Sequence, residues 1–370
     1  MRLAVDTHHL LIEHGGTKRV TANVLEQIRN IPDIELIELR PNYSLSIGNG
    51  IAKKISGHIL RFFWVQIHLP ILCLTKKIDF LLSPEYYTPI YTSCKRAVIA
   101  HDANIRAQKE YINPIWFYCY YIPFIEYAIQ KADLIFTVSE FSKKQIVQLM
   151  GLDESKVRVA YNGVDKRFMS QNQKVKEIPG LTRLEYILFV GTFEARKNIE
   201  RLIEAFAIFK KSSAIDVSKI KLAIAGKPSS GMFSDRNSKI NYLISKLDLK
   251  NEIVLCGYVS DSDLPDLYRN ACIIAFPSLY EGFGLPIIEG FASGVPVLTS
   301  NICSMPEIAG TAALLIDPYN VDDMATKLEL LMFDIPLRER LIAAGYERIK
   351  EFTWENSVRQ MMSYIRAAVA

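Results

Sequence analysis

Short apolar runs alternate with helix-length amphipathic segments along nearly the whole 370-residue chain. That alternation predicts parallel sheets covered by helices. In the first half, residues 3–6, 34–39, 80–83, 97–101, 134–138 and 157–160 read as strands. The series starts again at 186–190, 221–225, 253–256, 273–276, 295–299 and 313–316. Two doubly wound α/β units follow, and the chain is longer than one hydrophobic core usually supports. Between them, residues 166–185 are polar, contain Pro179-Gly180 and hold no sustained period, so they read as a linker. The expected boundaries are a first unit at 1–165, a second at 186–351 and a last helix at 352–370.

Composition removes several classes. A formal charge of +4, evenly spread, does not concentrate cations as a nucleic-acid binder would. The six cysteines contain no C-x-x-C pair, which suits reduced thiols in the cytoplasm better than a disulfide frame or a zinc site. Residues 1–6 enter a strand without a signal-peptide apolar region, so a cytoplasmic location is expected. No solenoid or propeller period is present. The longest apolar stretch, 62–74, contains Gln66, His68 and Pro70 and falls short of the roughly 20 residues that span a bilayer. Around it, Lys53, Lys54, Phe62, Phe63, Trp64, Lys76 and Lys77 read either as an interfacial helix on an anionic membrane or as a core helix with snorkelling lysines. The aromatic run 115–121 divides in the same way between core packing and an acceptor groove.

Open α/β sheets bind ligands beyond the carboxyl ends of their strands, and unusual residues collect there. After the strand 273–276 comes a loop with Glu281, Gly282, Phe283 and Gly284, then Leu285, Pro286 and Glu289. Pro286 suits a first helical turn, and the loop offers backbone N–H groups where a diphosphate would be favoured. Glu281 and Glu289 can face one pocket as acceptors for sugar hydroxyls. They read also as a charge favoured by the helix dipole and a solvated helix residue. After the strand 186–190 stand Gly191, Thr192, Arg196 and Lys197, two cations able to compensate a leaving diphosphate or to form an exposed basic turn. Gly15-Gly16 precedes a helix and serves either a ligand or a tight turn. His101-Asp102 ends a strand, where a histidine can bond a sugar hydroxyl or serve structure. Ser139 reads as a helix N-cap and Asn162-Gly163 as a turn. Ser260 with Asp263 reads as a helix start in preference to the D-x-D metal motif that Asp261-Ser262-Asp263 mimics. His8, His9 and His14 fit no common ligand spacing. No G-x-G-x-x-G follows the first strand, against a nicotinamide cofactor.

The segment Glu281-Gly282-Phe283-Gly284-Leu285-Pro286 with the later Glu289 resembles the retaining family-four glycosyltransferases of the GT-B fold. Gly191 followed by Arg196-Lys197-Asn198, Gly15-Gly16, His101-Asp102 and Phe352-Thr353-Trp354 extend the resemblance over nearly the whole chain; Thr17 departs from a frequent valine. It implies two Rossmann-like domains facing across a cleft, with a final helix returning to the first domain. It also implies donor binding by Gly15, Gly16, Gly191, Thr192, Arg196, Lys197, Tyr258, Val259, Glu281, Gly282, Phe283, Gly284, Leu285 and Glu289. The implied catalytic set is His101, Glu281, Arg196 and Lys197. The implied activity is retaining transfer of a hexose, mannose among the candidates, from a nucleotide-diphosphate sugar to a saccharide or lipid-linked saccharide in surface polysaccharide assembly. No metal and no cofactor are expected, no nucleic-acid partner, and an inner-membrane surface is an optional one. A phosphorylase or nucleotide-sugar epimerase of the same architecture, or a non-catalytic sugar-binding protein, remain alternatives.

Overall fold

The computed structural model of the protein describes residues 1–11, 16–42, 51–169, 180–227 and 235–370. They form two compact units: Met1–Gly163 with Thr353–Ala370, and Val164–Phe352. The first carries β1 (Arg2–Asp6), β2 (Glu35–Leu39), β3 (Phe80–Ser83), β4 (Lys95–Ile99), β5 (Leu134–Thr137) and β6 (Val157–Val159). These lie side by side as β2-β1-β3-β4-β5-β6, every pair parallel. The second carries β7 (Tyr186–Val190), β8 (Lys221–Ala225), β9 (Ile253–Gly257), β10 (Ile273–Phe276), β11 (Val297–Ser300) and β12 (Ala313–Ile316). Their order is β12-β11-β10-β7-β8-β9, again all parallel. Each sheet is doubly wound, and every expected strand is present.

The central strands are apolar on both faces because helices cover both, as parallel sheets require. β3, β10 and β11 are buried along their whole length. Ends shift for local reasons. β11 begins at Val297 and not at 295, since Pro296 has no N–H for a ladder. β4 ends at Ile99, and although the Ala100 N–H still reaches the Phe136 carbonyl at 2.8 Å, His101 turns out of the ladder.

The polar stretch 166–185 differs from a bare linker where it is described. Asp165 accepts the Arg167 N–H and starts the 3-10 turn Lys166–Phe168. Phe168 is buried and meets the Tyr268 ring edge-on at 5.2 Å, so the segment packs into the second unit. Residues 170–179, with the Pro179 of the expected turn, lie outside the described residues.

In the first unit, the helix Trp354–Val369 starts with Thr353, whose side chain accepts the Asn356 N–H at 3.1 Å. It packs on the helix Gly16–Arg29, and Arg366 pairs with Asp33 at 2.8 Å. Ser56–Thr75 forms one 20-residue helical stretch with a π-helical turn at Trp64–His68. Sequence reading made the apolar part too short to cross a bilayer, but by length and composition alone this helix qualifies. One side of it is committed elsewhere: Trp64, Val65, Leu69 and Cys73 pack with Ala4, Leu39 and Leu81 of the sheet. The aromatic run is likewise split by face. Phe117 and Tyr121 are buried and stacked at 5.4 Å, while Ile115 and Tyr118 are exposed.

Candidate active site

In the second unit β7 and β10 are neighbours although the chain leaves them toward opposite ends of the sheet. Such a point opens a crevice at the strands' carboxyl ends. Two loops line it, one after β7 and one after β10. Their backbones are joined directly, since the Leu279 N–H donates to the Arg196 carbonyl at 2.6 Å.

Side chains from both loops meet on one carboxylate oxygen. Lys197 Nζ donates to Glu281 Oε1 at 2.7 Å, and Arg196 Nη1 lies 2.9 Å from the same atom. Arg196 also donates to Glu194 at 2.8 Å and to the Tyr280 carbonyl at 3.2 Å. Thr192 donates its hydroxyl to Glu194 at 2.7 Å, which ties Thr192 to the same group. Lys197 is 9% exposed and Glu281 8%, so these are buried charges and need one another. Burial acts on both pKa values. It lowers that of Lys197, against the attraction of Glu281. Burial would raise Glu281, but Arg196 and then Lys197 overcome it and hold the carboxyl below the usual range. Lys197 further faces the Phe276 ring at 5.1 Å. The outcome is a buried cluster in which two basic side chains share one carboxylate oxygen at the carboxyl ends of β7 and β10.

Neutral donors fix the loop that carries Glu281. The hydroxyl of Ser304 donates to the carbonyls of Glu281 and Phe283 at 2.9 and 3.0 Å. Ser300 holds Ser278 at 2.6 Å, and Thr299 holds Phe276 at 2.9 Å. Asn198 spans the two loops by donating to the carbonyls of Pro277 and Pro318 at 3.1 and 2.7 Å. It adopts φ +60, a left-handed conformation that asparagine tolerates better than most residues. Gly284, at φ +104, ends the loop, and the helix Leu285–Ala292 begins with Pro286 in its first turn. The sequence drew attention to glycines and charges and missed this hydroxyl and amide scaffold. Only the asparagine after Arg196-Lys197 signalled it.

The remaining rim is joined by backbone. The Gly191 N–H donates to Ala225 at 2.9 Å and the Gly226 N–H to Gly257 at 2.8 Å. A Cβ on Gly226 would stand 1.8 Å from the Gly191 carbonyl oxygen, so only glycine permits this approach. Beyond Gly257, Tyr258 is exposed with the Lys227 ammonium 4.7 Å from its ring centre, and Val259 is half-buried. Glu289 stands apart from the cluster. It is 3% exposed, and its carboxylate accepts the Tyr268 hydroxyl at 2.7 Å. The readings of Glu289 as solvated and of Glu281 as a mere first-turn charge are both overturned, and so is the exposed basic turn at Lys197.

Arg196, Lys197 and Glu281 are thus brought together, with Gly191, Thr192, Gly282, Phe283, Gly284 and Leu285 on the same two loops. His101 and Gly16 belong to the first unit. His101 follows β4, and its Nε2 meets the Pro84 carbonyl at 3.1 Å. Asp102 accepts from the Tyr86 hydroxyl and the Asn104 N–H, both at 2.9 Å. Gly16 is the first residue of its helix, while Gly15 and His14 lie outside the described residues. His8 is buried against Asp6, Nδ1 to Oδ2 at 2.8 Å, and His9 against Thr21 at 2.8 Å. Ser139 caps its helix by accepting the Ser142 N–H at 3.0 Å, and Ser260 accepts that of Asp263 at 3.2 Å. Among the described residues no three His, Cys, Asp or Glu side chains gather as a metal site.

The chain matches the family of glycosyl transferases group 1 over residues 171–348 and glycosyltransferase family 4 over residues 47–168. It is 31% identical over 286 residues to the O-antigen chain mannosyltransferase B of Escherichia coli, covering 76% of this chain and 72% of that protein. The chain is a family-4, group 1 glycosyltransferase. A second relative, the serotype-specific mannosyltransferase WbdA of Escherichia coli, is 26% identical over 372 residues, which cover 94% of this chain and 45% of WbdA. This glycosyltransferase therefore spans less than half of that relative's length. Among solved structures, Anabaena Alr3699/HepE in complex with UDP and glucose superposes with a TM-score of 0.70 at 15% identity, covering 99% and 100% of the two chains. At that identity the likeness carries the fold alone: two Rossmann-like sheets of the GT-B class.

Proposed function

We propose that this glycosyltransferase moves a hexose, with mannose the first candidate, from a nucleotide-diphosphate sugar to a saccharide or lipid-linked saccharide in surface polysaccharide assembly. The anomeric configuration is retained, and the enzyme works in the cytoplasm. One observation carries the reading: a buried carboxylate, Glu281, bonded through a single oxygen to both Lys197 and Arg196 at the switch point of the second sheet. The mannosyltransferase relatives supply the sugar, and the UDP complex of a same-fold protein supports a nucleotide donor.

The chemistry follows from the charges. As the bond between the sugar and the diphosphate stretches, negative charge grows on the departing oxygen, and preorganised cations stabilise it without reorganising. Arg196 and Lys197 are in place for that role, helped by the backbone N–H groups at the start of the helix Leu285–Ala292. The phosphates then compete with Glu281 for the two cations, and the freed carboxylate accepts hydrogen bonds from donor sugar hydroxyls. Glu289, buried beside Tyr268, is assigned to the ribose. Tyr258 and Val259 are assigned to the nucleobase. His101, on the first unit, is assigned to a sugar hydroxyl. The acceptor hydroxyl attacks from the face the diphosphate leaves and passes its proton to the departing phosphate oxygen, so no covalent sugar-enzyme intermediate is required.

A panel of nucleotide sugars screened by thermal shift identifies the donor, because a ligand that binds only the folded state raises the melting temperature. Product configuration read by NMR then tests retention. An inverted product, or full turnover in Glu281→Gln, would reject the mechanism. Chelation by EDTA is expected to leave turnover unchanged, and its loss with recovery on adding a divalent cation would place a metal in the reaction.

A further inference from the structure

The first sheet has a switch point of its own. β1 and β3 are neighbours, while the chain runs from β1 outward to β2 and from β3 the other way to β4. A crevice therefore opens at their carboxyl ends, within the first unit. Across it the His8 ring, after β1, meets the Tyr87 ring, after β3, edge-on at 6.2 Å. Buried polar atoms collect here without a protein hydrogen-bond partner: His8 Nε2, Ser83 Oγ and Thr88 Oγ1, on residues each 1% exposed. The second sheet differs, for Thr299, Ser300 and Ser304, at and after the end of β11, all donate to carbonyls. An unmade bond on a buried group costs stability, so several in one place call for a partner from outside the fold.

Thr88 lines a recess of about 220 Å³, counted out to its solvent mouth. Pockets that enclose a whole small molecule start near roughly 300 Å³, so this one suits an edge of a sugar ring and not a nucleotide. Half-buried Tyr87, Tyr120 and Phe124 line it as aromatic walls, and Gln66 adds an amide. That amide is already oriented, donating to the Thr88 carbonyl at 3.2 Å and accepting the Ile90 N–H at 2.9 Å, with its second N–H left for a ligand. The Arg61 guanidinium lies 4.5 Å from the Tyr87 ring centre, which fixes its fork of donors.

We propose that this recess is a subsite for a neutral pyranose of the acceptor saccharide, with one ring hydroxyl on Thr88 Oγ1 and another on Gln66. The proposal rests on the transferase reading and adds to it the place and chemistry of acceptor recognition. Aromatic walls cover the apolar C–H face of a pyranose, while a hydroxyl and an amide match the mixed donors and acceptors of its edge. A phosphate fits less well, since Thr88 and Gln66 carry no charge and the Tyr87 ring covers one face of Arg61.

Saturation-transfer NMR on the full chain with the methyl α-glycosides of mannose, glucose, galactose and N-acetylglucosamine tests it. At least one should bind, and neither UDP, GDP nor inorganic phosphate should displace it. Thr88→Val keeps the shape and removes the orphaned hydroxyl, so the melting temperature should hold or rise while glycoside affinity falls about fivefold. Tyr120→Ala removes a wall and should also cost about fivefold. The donor-induced thermal shift should persist in both variants. Its absence in the unaltered chain would count against the transferase reading, whereas the glycoside titrations judge the recess. No binding by any of the four glycosides overturns the proposal, as does binding that both variants leave intact or that UDP, GDP or phosphate displaces. So does a lower melting temperature in Thr88→Val, which would show that hydroxyl bonded within the fold.

Discussion

At the end of β10 a carboxylate is fastened by two cations from a loop 84 and 85 positions earlier in the chain, Lys197 and Arg196. At the end of β4, by contrast, His101 meets a backbone carbonyl and Asp102 takes a neutral tyrosine hydroxyl. Two sheets of the same build therefore finish these two strands with different chemistry. A charged diphosphate repays rigid, mutually compensated ions that are already desolvated. A neutral hydroxyl asks for single hydrogen bonds whose partners sit close in sequence and can change one at a time. The contrast favours the proposed placement of the donor on the second unit and the acceptor on the first.

The strongest way to break the contrast is to remove its charges. Lys197→Ala or Glu281→Gln should lower turnover about 10²- to 10³-fold, as loss of a preorganised group at the developing charge does. His101→Ala should cost only about tenfold, the worth of one hydrogen bond. Equal losses in steady-state assays would erase the distinction. Next comes the rim's geometry. Gly226→Ala forces a methyl into the Gly191 carbonyl and should destabilise the protein by about 1–3 kcal/mol in denaturant titration. A matched pair of tyrosines sharpens the comparison. Tyr268→Phe leaves the buried Glu289 carboxylate short of a donor and should cost about 2 kcal/mol, against about 1 kcal/mol for Tyr86→Phe beside the part-buried Asp102.

The smallest effects are in pH. Burial lowers the Lys197 pKa below the ordinary 10.5, so between those two values the unfolded chain binds more protons than the folded one. Stability from this group then rises with pH while transfer falls, because the cation is lost. Glu281 has the same sign of slope, on the acid side. Its lowered pKa adds stability that is present above the ordinary 4.5 and is lost as pH falls through the folded value. Melting temperature and turnover moving together on the alkaline side would contradict the Lys197 assignment.

The sheets were readable from the sequence because strand pattern is local: 273–276 is apolar at every position, and 80–83 at all but Ser83. Helix extent was less so. His58 and Arg61 interrupt the apolar run before Phe62, yet both lie within the helix Ser56–Thr75, with Arg61 buried over the Tyr87 ring at 4.5 Å. An arginine stacked on an aromatic looks polar in sequence and behaves as core. The site divides in the same manner. Glu281, Arg196 and Lys197 stand out by type and by the resemblance of their motifs, but their convergence on one oxygen is a tertiary fact that no spacing encodes. Tyr268 gave no signal as the partner of Glu289, since a tyrosine in an amphipathic helix is ordinarily a packing residue.

The Val164 N–H donates to the Phe352 carbonyl at 2.9 Å, so the second unit is a stretch of chain whose two ends are laced to each other. On the ribosome such a stretch emerges whole and can close at once. The first unit, although begun earlier, must wait for Trp354–Val369 before its own surface is covered. During that interval its helix Gly16–Arg29 lacks the neighbour it packs on, and a chaperone would have its longest opportunity there.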